Sequence, residues 1–256
     1  MDNDRVIVVA NQKGGVGKTT TVIQIASGLA KRGTGRVLMM DGDPQGNLSL
    51  FFGASGRRDF GQLLTVLRTE RRVALPDFIC RNVRRNLDLL PAGNRDLRHE
   101  QRDADIVASY EAFSAFVSSL RERYAYIIID SSPSHSPLER LLIRSCDAVI
   151  VPLEFQLFSV SGLESIIDEV RACSEETGRE IRVHSLVFTK AENKLNRVRS
   201  YREIFSTFHL PVFEVCKSEY ITRSLEKSRT IWECGPASFA ARDYREILTK
   251  GFPVTT

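Results

Sequence analysis

Residues 5–20 read RVIVVANQKGGVGKTT, and this stretch decides the fold. Residues 5–10 (RVIVVA) are a short β-branched apolar run, the pattern of a buried strand, and they end in a glycine-rich segment. Residues 19–30 carry a helical period, with Val22, Ile25, Ala26 and Leu29 on one face, and Gly33 and Gly35 stop it. Between strand and helix lies KGGVGKTT, residues 13–20. This is the setting of a phosphate-binding loop. Glycines let backbone N–H groups close around phosphate oxygens, and the helix that follows adds its unpaired N–H groups and positive dipole end. Gly14, Gly15, Val16, Gly17, Lys18, Thr19 and Thr20 are therefore the candidate nucleotide-binding residues. Lys18 can reach the β- and γ-phosphates and the Thr19 hydroxyl can ligate Mg²⁺. The usual G-x-x-x-x-G-K-[ST] spacing is not met, because Gln12 stands where its first glycine belongs and an extra lysine, Lys13, follows.

Working outward, further apolar runs read as strands: residues 36–40, 126–129, 148–151, 182–188 and 212–215. Helical patterns lie between them, most clearly at 111–123, 160–174, 196–208 and 237–248. Strands alternating with helices predict an α/β fold: a mostly parallel twisted sheet with helices on both faces. Residues 53–86 are the least patterned, rich in Arg, and read as loops and short helices. No linker or repeat divides the chain, so 1–256 reads as one domain.

In an open α/β sheet, ligands gather at the carboxyl ends of strands. The second strand runs into Asp41-Gly42-Asp43-Pro44-Gln45-Gly46-Asn47. Two carboxylates one residue apart, followed by Pro and Gly, make a polar loop beside the phosphate site. Asp130 closes another apolar strand, in IIIDSSPS.

Composition narrows the class. The 256 residues are 42% hydrophobic with a net charge of +4, which excludes a chain disordered throughout. Five widely spaced cysteines without a C-x-x-C pair argue against a disulfide framework and a thiolate metal site, and fit a cytoplasmic protein. No run is apolar for the roughly 18 residues a membrane helix needs.

NQKGGVGKTT resembles the deviant Walker A motif of the ParA/Soj and MinD group of P-loop ATPases. The resemblance implies that Lys13 reaches across a dimer interface to the nucleotide of the other subunit, making Lys13, Lys18 and Asp43 the catalytic set. DGDPQGN is similar to the family's second signature, D-x-D-P-Q-x-N. By that match Asp43 positions the attacking water, Asp41 supports the Mg²⁺ shell and Gln45 lies near the dimer interface. Asp130 resembles the Walker B aspartate, so Thr19, Asp41 and Asp130 form the expected metal set. Here the family's D-x-P-P has Ser132 in place of its first proline, with Pro133 kept, a change expected to loosen the loop. Residues 146–164 also follow the family order. Cys216 and Lys217 fall where the family flanks adenine, with Cys216 replacing a proline.

Basic residues cluster at Lys190, Lys194, Arg197, Arg199 and Arg202, and again at Lys217, Arg223, Lys227 and Arg229. Residues 81–85 (RNVRR) add a third group. Such charges can contact DNA phosphates without reading sequence. The family resemblance implies non-specific DNA binding through this C-terminal region, with Lys194, Arg197, Arg199, Arg202, Lys217, Arg223 and Lys227 as candidates. It also implies ATP and Mg²⁺ as cofactors, an ATP-dependent homodimer, and a ParB-like centromere-binding partner on the nucleoid. The motif's position near the start leaves no room for an N-terminal helix-turn-helix, and residues 248–256 do not form an amphipathic membrane anchor. The expected function is therefore plasmid or chromosome partition. Two rivals share the nucleotide motifs: a ParA-like ATPase positioning a protein cluster, and a metabolic P-loop enzyme acting on a small molecule.

Overall fold

The computed structural model describes residues 4–54, 58–70, 73–92, 103–156, 159–191 and 202–253. Eight strands form one sheet in the order β3-β4-β2-β5-β1-β6-β7-β8. They are β1 (Val6–Val9), β2 (Val37–Asp41), β3 (Cys80–Arg84), β4 (Leu87–Leu90), β5 (Tyr126–Asp130), β6 (Ala148–Leu153), β7 (Arg182–Ala191) and β8 (Val212–Cys216). Every pairing is parallel except β3 with β4. The expected sheet of mostly parallel strands is thus present.

The strand sequences are continuously apolar because both faces are covered. In β1, Val6 and Val8 face one core while Ile7 and Val9 face the other, all at 0% exposure. The first core is closed by α3 (Phe60–Thr69), α6 (Tyr110–Leu120), α7 (Pro137–Arg144) and α8 (Ser159–Thr177). Two short helices, α4 (Leu75–Phe78) and α5 (Asp103–Val107), lie on the same side. The second core is closed by α1 (Lys18–Arg32), α2 (Asn47–Phe52), α10 (Ile231–Cys234) and α11 (Phe239–Gly251). Helix α9 (Glu219–Glu226) packs beside α10. Each fully buried aliphatic side chain contributes roughly 1.5–3 kcal/mol, so these two layers dominate the stability of the sheet.

The hairpin β3–β4 departs from the expectation of loops and short helices at 53–86. Polar side chains conceal it. Asp88 sits in the middle of β4 at 0% exposure, where it accepts hydrogen bonds from Arg36 (2.5 Å), Tyr124 Oη (2.9 Å) and the Asn82 amide (2.8 Å). A buried charge satisfied this way looks like a surface residue in sequence.

Strand order positions the site. From β1 the chain builds outward through β2 and β4 and returns to β5 beside β1; it then builds the other way through β6, β7 and β8. The crevice for a ligand lies at that reversal, at the carboxyl ends of the strands. The phosphate-loop candidates, Asp41, Asp130 and the end of β7 all meet there.

Candidate functional site

The loop from Asn11 to Gly17 joins β1 to α1. Gly17 is the residue before the helix, with φ 88° and no side-chain cap. No acidic residue lies in the first turn, so the positive end of α1 is left for an anion. A Cβ added at Gly14 or Gly15 would meet nothing within 4 Å. Those two glycines therefore keep open space at the loop that a side chain would fill.

The loop is gripped from outside. Asn11 Nδ2 donates to the Pro152 carbonyl (2.7 Å), and Asn11 Oδ1 accepts from the Lys13 amide (2.8 Å). Thr189 Oγ1 donates to the Val16 carbonyl (2.9 Å), and Lys190 Nζ to the Gly15 carbonyl (2.9 Å). A planar trans peptide points its N–H opposite to its C=O. Holding the carbonyls of Gly15 and Val16 outward therefore turns the amides of Val16 and Gly17 inward. Lys18 lies beneath, 7% exposed, its Nζ donating to the Lys13 carbonyl (3.2 Å). Burial lowers the Lys18 pKa from the usual lysine range, and Asp130, Asp43 and Glu139 oppose that shift.

Asp130 and Asp43 face this lysine, and Asp41 lies beside them. Asp41 and Asp130 are register partners at the ends of β2 and β5, both at 0% exposure. Asp41 Oδ2 accepts from the Ser49 amide (2.8 Å) and hydroxyl (2.6 Å). Asp41 Oδ1 and both oxygens of Asp130 have no hydrogen-bond partner among the described residues. Burial, only partly offset by Ser49, pushes Asp41 up to about 6. Burial and then the Asp41 charge raise Asp130 well above the carboxylate range; Thr19 is near enough to oppose the shift without reaching hydrogen-bond geometry. Asp43, 6% exposed, is fixed by the Gln45 amide on its Oδ1 (2.8 Å). Gly42 is required between them, because a Cβ there would lie 2.8 Å from the Asp130 carbonyl oxygen and 2.7 Å from Leu142 Cδ1.

Orphaned, buried carboxylate oxygens next to a threonine hydroxyl are hard donors, and they fit a hard divalent cation. Among the described residues no group of three or more His, Cys, Asp or Glu is placed to hold a metal ion by itself.

Lys13 points elsewhere. Its side chain is 42% exposed and donates to Gln156 Oε1; Glu154 Oε2 lies 3.9 Å away. Gln45 is exposed at the same end of the sheet. In the loop after Asp130, Ser132 takes part in side-chain hydrogen bonds. Hydroxyls of Ser132, Ser134 and Ser136 form a chain (3.0 and 3.1 Å), and Ser136 accepts from the Glu139 amide as the cap of α7. Cys216 ends β8 beside Ala191, and Lys217 follows it, its amide donating to the Ala191 carbonyl. The Cys216 amide is held by Asp243 (3.0 Å), and burial followed by that same carboxylate pushes its thiol up to about 11.

The basic groups separate. Lys194, Arg197 and Arg199 lie outside the described residues. Arg202 makes a two-pronged pair with Glu214 (2.5 and 2.7 Å), and Arg223 pairs with Glu219 (2.6 Å). Lys227 is exposed at the end of α9. Arg84, from the β3–β4 hairpin, donates to the Ser228 carbonyl (2.8 Å), bringing the basic group at 81–85 beside Lys227 and Arg229. Lys190 belongs to the phosphate loop instead. Sequence reasoning missed Thr189 and Lys190 as loop contacts, along with Ser49 and Glu139. Thr189 and Lys190 lie near the carboxyl end of an apolar strand, which places them at the ligand end of the sheet but does not reveal that they hold the loop carbonyls.

Similarity to known proteins agrees with this geometry. A family model described as "AAA domain" matches residues 4–183. The chromosome partitioning protein ParA of Caulobacter vibrioides is 33% identical over 194 residues, covering 74% of this chain and 71% of the relative. The chain belongs to the ParA/MinD family of P-loop NTPases. Among solved structures of this fold, the ATP complex of a Cyanothece McdA variant superposes with a TM-score of 0.81 at 20% identity, covering 100% of this chain and 99% of that one. A Mycobacterium smegmatis cobyrinic acid a,c-diamide synthase with bound ATP analogue and magnesium gives 0.75 at 26% identity, covering 96% and 93%. No helix among the described residues of this ParA/MinD-type chain is long and apolar enough to cross a membrane.

Proposed function

We propose that the chain is a Mg²⁺-dependent ATPase that switches between a monomer and an ATP-sandwiched homodimer. The dimer binds DNA non-specifically on the nucleoid, and a ParB-like partner stimulates hydrolysis to drive plasmid or chromosome partition. One observation carries the reading: the loop has two lysines in different settings. Lys18 is buried among Asp130, Asp43 and Glu139, while Lys13 stands half-exposed on the rim, outside its own cradle. A cation placed there can serve a second copy's nucleotide, whose dense negative charge favours it.

The remaining roles follow from position. The amides of residues 14–20, with those of Val16 and Gly17 turned inward, bind the phosphates, and Lys18 neutralises the β,γ-oxygens. Thr19, Asp41 and Asp130 would hold Mg²⁺, which when bound withdraws charge from the phosphates. Asp43, fixed by the Gln45 amide, orients the water that attacks the γ-phosphate. Cys216 and Lys217 flank the base. The product is ADP and phosphate, and the work done is a population shift between monomer and dimer.

A second reading is a ParA-like ATPase that positions a protein cluster instead of DNA. The pairing of Arg202 with Glu214 and Arg223 with Glu219 favours it, because those charges are spent within the chain. Sizing chromatography with and without ATP, with DNA in a parallel sample, tests both. ATP-dependent doubling with salt-sensitive DNA binding supports partition. Doubling without DNA binding supports the cluster reading, and no doubling with ATP rejects both.

A further inference from the structure

We propose that Lys190 is a positioning residue for Lys13, acting through Glu154: it occupies this carboxylate so that Lys13 is only loosely held within its own chain. The inference rests on the reading of Lys13 as a cation supplied to a second copy.

Glu154 follows β6 and is largely buried, with 17% of its side chain exposed. Its Oε1 accepts from Lys190 Nζ at 2.6 Å. Its Oε2 accepts from Gln156 Nε2 at 2.8 Å, and Lys13 Nζ stands 3.9 Å from that oxygen. Both carboxylate oxygens thus have nearer donors than Lys13. Lys13 itself donates to the neutral amide oxygen of Gln156. A carboxylate offers an ammonium the attraction of an opposite charge, which a neutral amide oxygen does not, so the present arrangement is the weaker of the two tethers open to Lys13.

The backbone is bent to place Lys190 there. Its φ is 54°, in the left-handed region that a non-glycine residue seldom adopts. The pairing of β7 with β8 loses register between Phe188 and Ala191, the mark of a bulge at the rim of a sheet, where bulges re-aim side chains. The re-aimed ammonium bridges Glu154 and the Gly15 carbonyl (2.9 Å). Strand β7 therefore senses loop position and carboxylate charge through one side chain.

Removing Lys190 leaves Lys13 as the nearest cation to Glu154 among the described residues. Lys13 should then be drawn into a full ion pair and withheld from the partner. Removing the Glu154 charge should do the reverse. The two substitutions are expected to act in opposite directions on pairing.

The test measures the ATP concentration for half-maximal dimerisation by light scattering. Monomer affinity for a fluorescent ATP analogue is read separately at low protein concentration. Lys190→Met should raise the pairing concentration about threefold, the size expected of a partly exposed ion pair, and Glu154→Gln should lower it. The double variant should pair at least as readily as the unaltered chain, and Lys190→Arg should resemble it. A Lys190→Met defect that Glu154→Gln does not relieve, or that appears equally in monomer affinity, would mean Lys190 only braces the loop and overturns the proposal. So would unchanged pairing in Lys190→Met while Lys13→Ala pairs poorly. If Lys13→Ala pairs like the unaltered chain, the underlying reading of Lys13 fails first, and that outcome is distinct.

Discussion

Asp41 and Asp130 end neighbouring strands in register, both fully buried, and three of their four carboxylate oxygens lack a hydrogen-bond partner among the described residues. Two carboxylates so placed repel each other, and burial and their neighbour's charge raise the Asp130 pKa. Ser49, Thr19 and Lys18 offset only part of this cost, and the remainder suits a site shaped for a cation.

Asp130→Asn should therefore separate folding from metal use. Removing the charge relieves the repulsion, so the ligand-free variant should melt several degrees higher than the unaltered chain. The extra stabilisation by ATP that depends on Mg²⁺ should disappear. Thermal melts with ATP, with and without EDTA, check both halves; a variant that still gains stability from Mg²⁺ would remove Asp130 from the metal set.

How much of this was legible in sequence depends on what each residue had to do locally. Strand β1, the glycine loop and α1 were readable because periodicity, glycine placement and the lysine–threonine pair all point one way over a short span. Asp41 and Asp130 were readable because an apolar run ends on an acid. Strand β4 was not, because its buried Asp88 is satisfied by Arg36 and Tyr124, which are remote in sequence. The Thr189 and Lys190 contacts on the loop were hidden for a similar reason: β7 reaches Gly15 and Val16 only after the sheet has formed. Lys190 looked like one more surface charge in a basic run.

Lys18→Ala should weaken ATP binding by roughly 100-fold, since a charge-assisted contact in a partly desolvated site contributes about 2–3 kcal/mol. Because Lys18 also offsets the acids around it, the variant leaves Asp130, Asp43 and Glu139 without this nearby cation. Its ligand-free stability should fall too, most clearly above neutral pH. Calorimetric titration with ATP and a melt at two pH values measure these separately. Retained micromolar affinity would count against the role assigned to this lysine.

Asp43→Ala should bind ATP and stay paired. The carboxylate is oriented by the Gln45 amide, and its loss removes the group assigned to orient the water while leaving the loop amides and Lys18 in place. Phosphate release should drop by about 100-fold or more, in the range typical of a positioned acid–base group. Sizing chromatography in ATP should show a persistent dimer. Normal turnover in this variant would take Asp43 out of the mechanism.

Glu139 provides a pH test outside the metal set. It lies 2% exposed in the first turn of α7, and its Oε1 has no hydrogen-bond partner among the described residues. Burial, then the Glu169 charge, pushes its pKa up to about 8, with Lys18 opposing. A carboxyl whose pKa is higher folded than unfolded destabilises the fold as pH rises. The penalty begins near the unfolded value of about 4.5, grows until about 8, and is constant beyond that. Glu139→Gln should remove it. The variant should therefore match the unaltered chain near pH 4 and be more stable at pH 8.5, by about 5 kcal/mol as an order of magnitude. Urea unfolding across that range gives the difference directly. A gain of equal size at both ends would show that the effect is packing, with no part played by the buried charge.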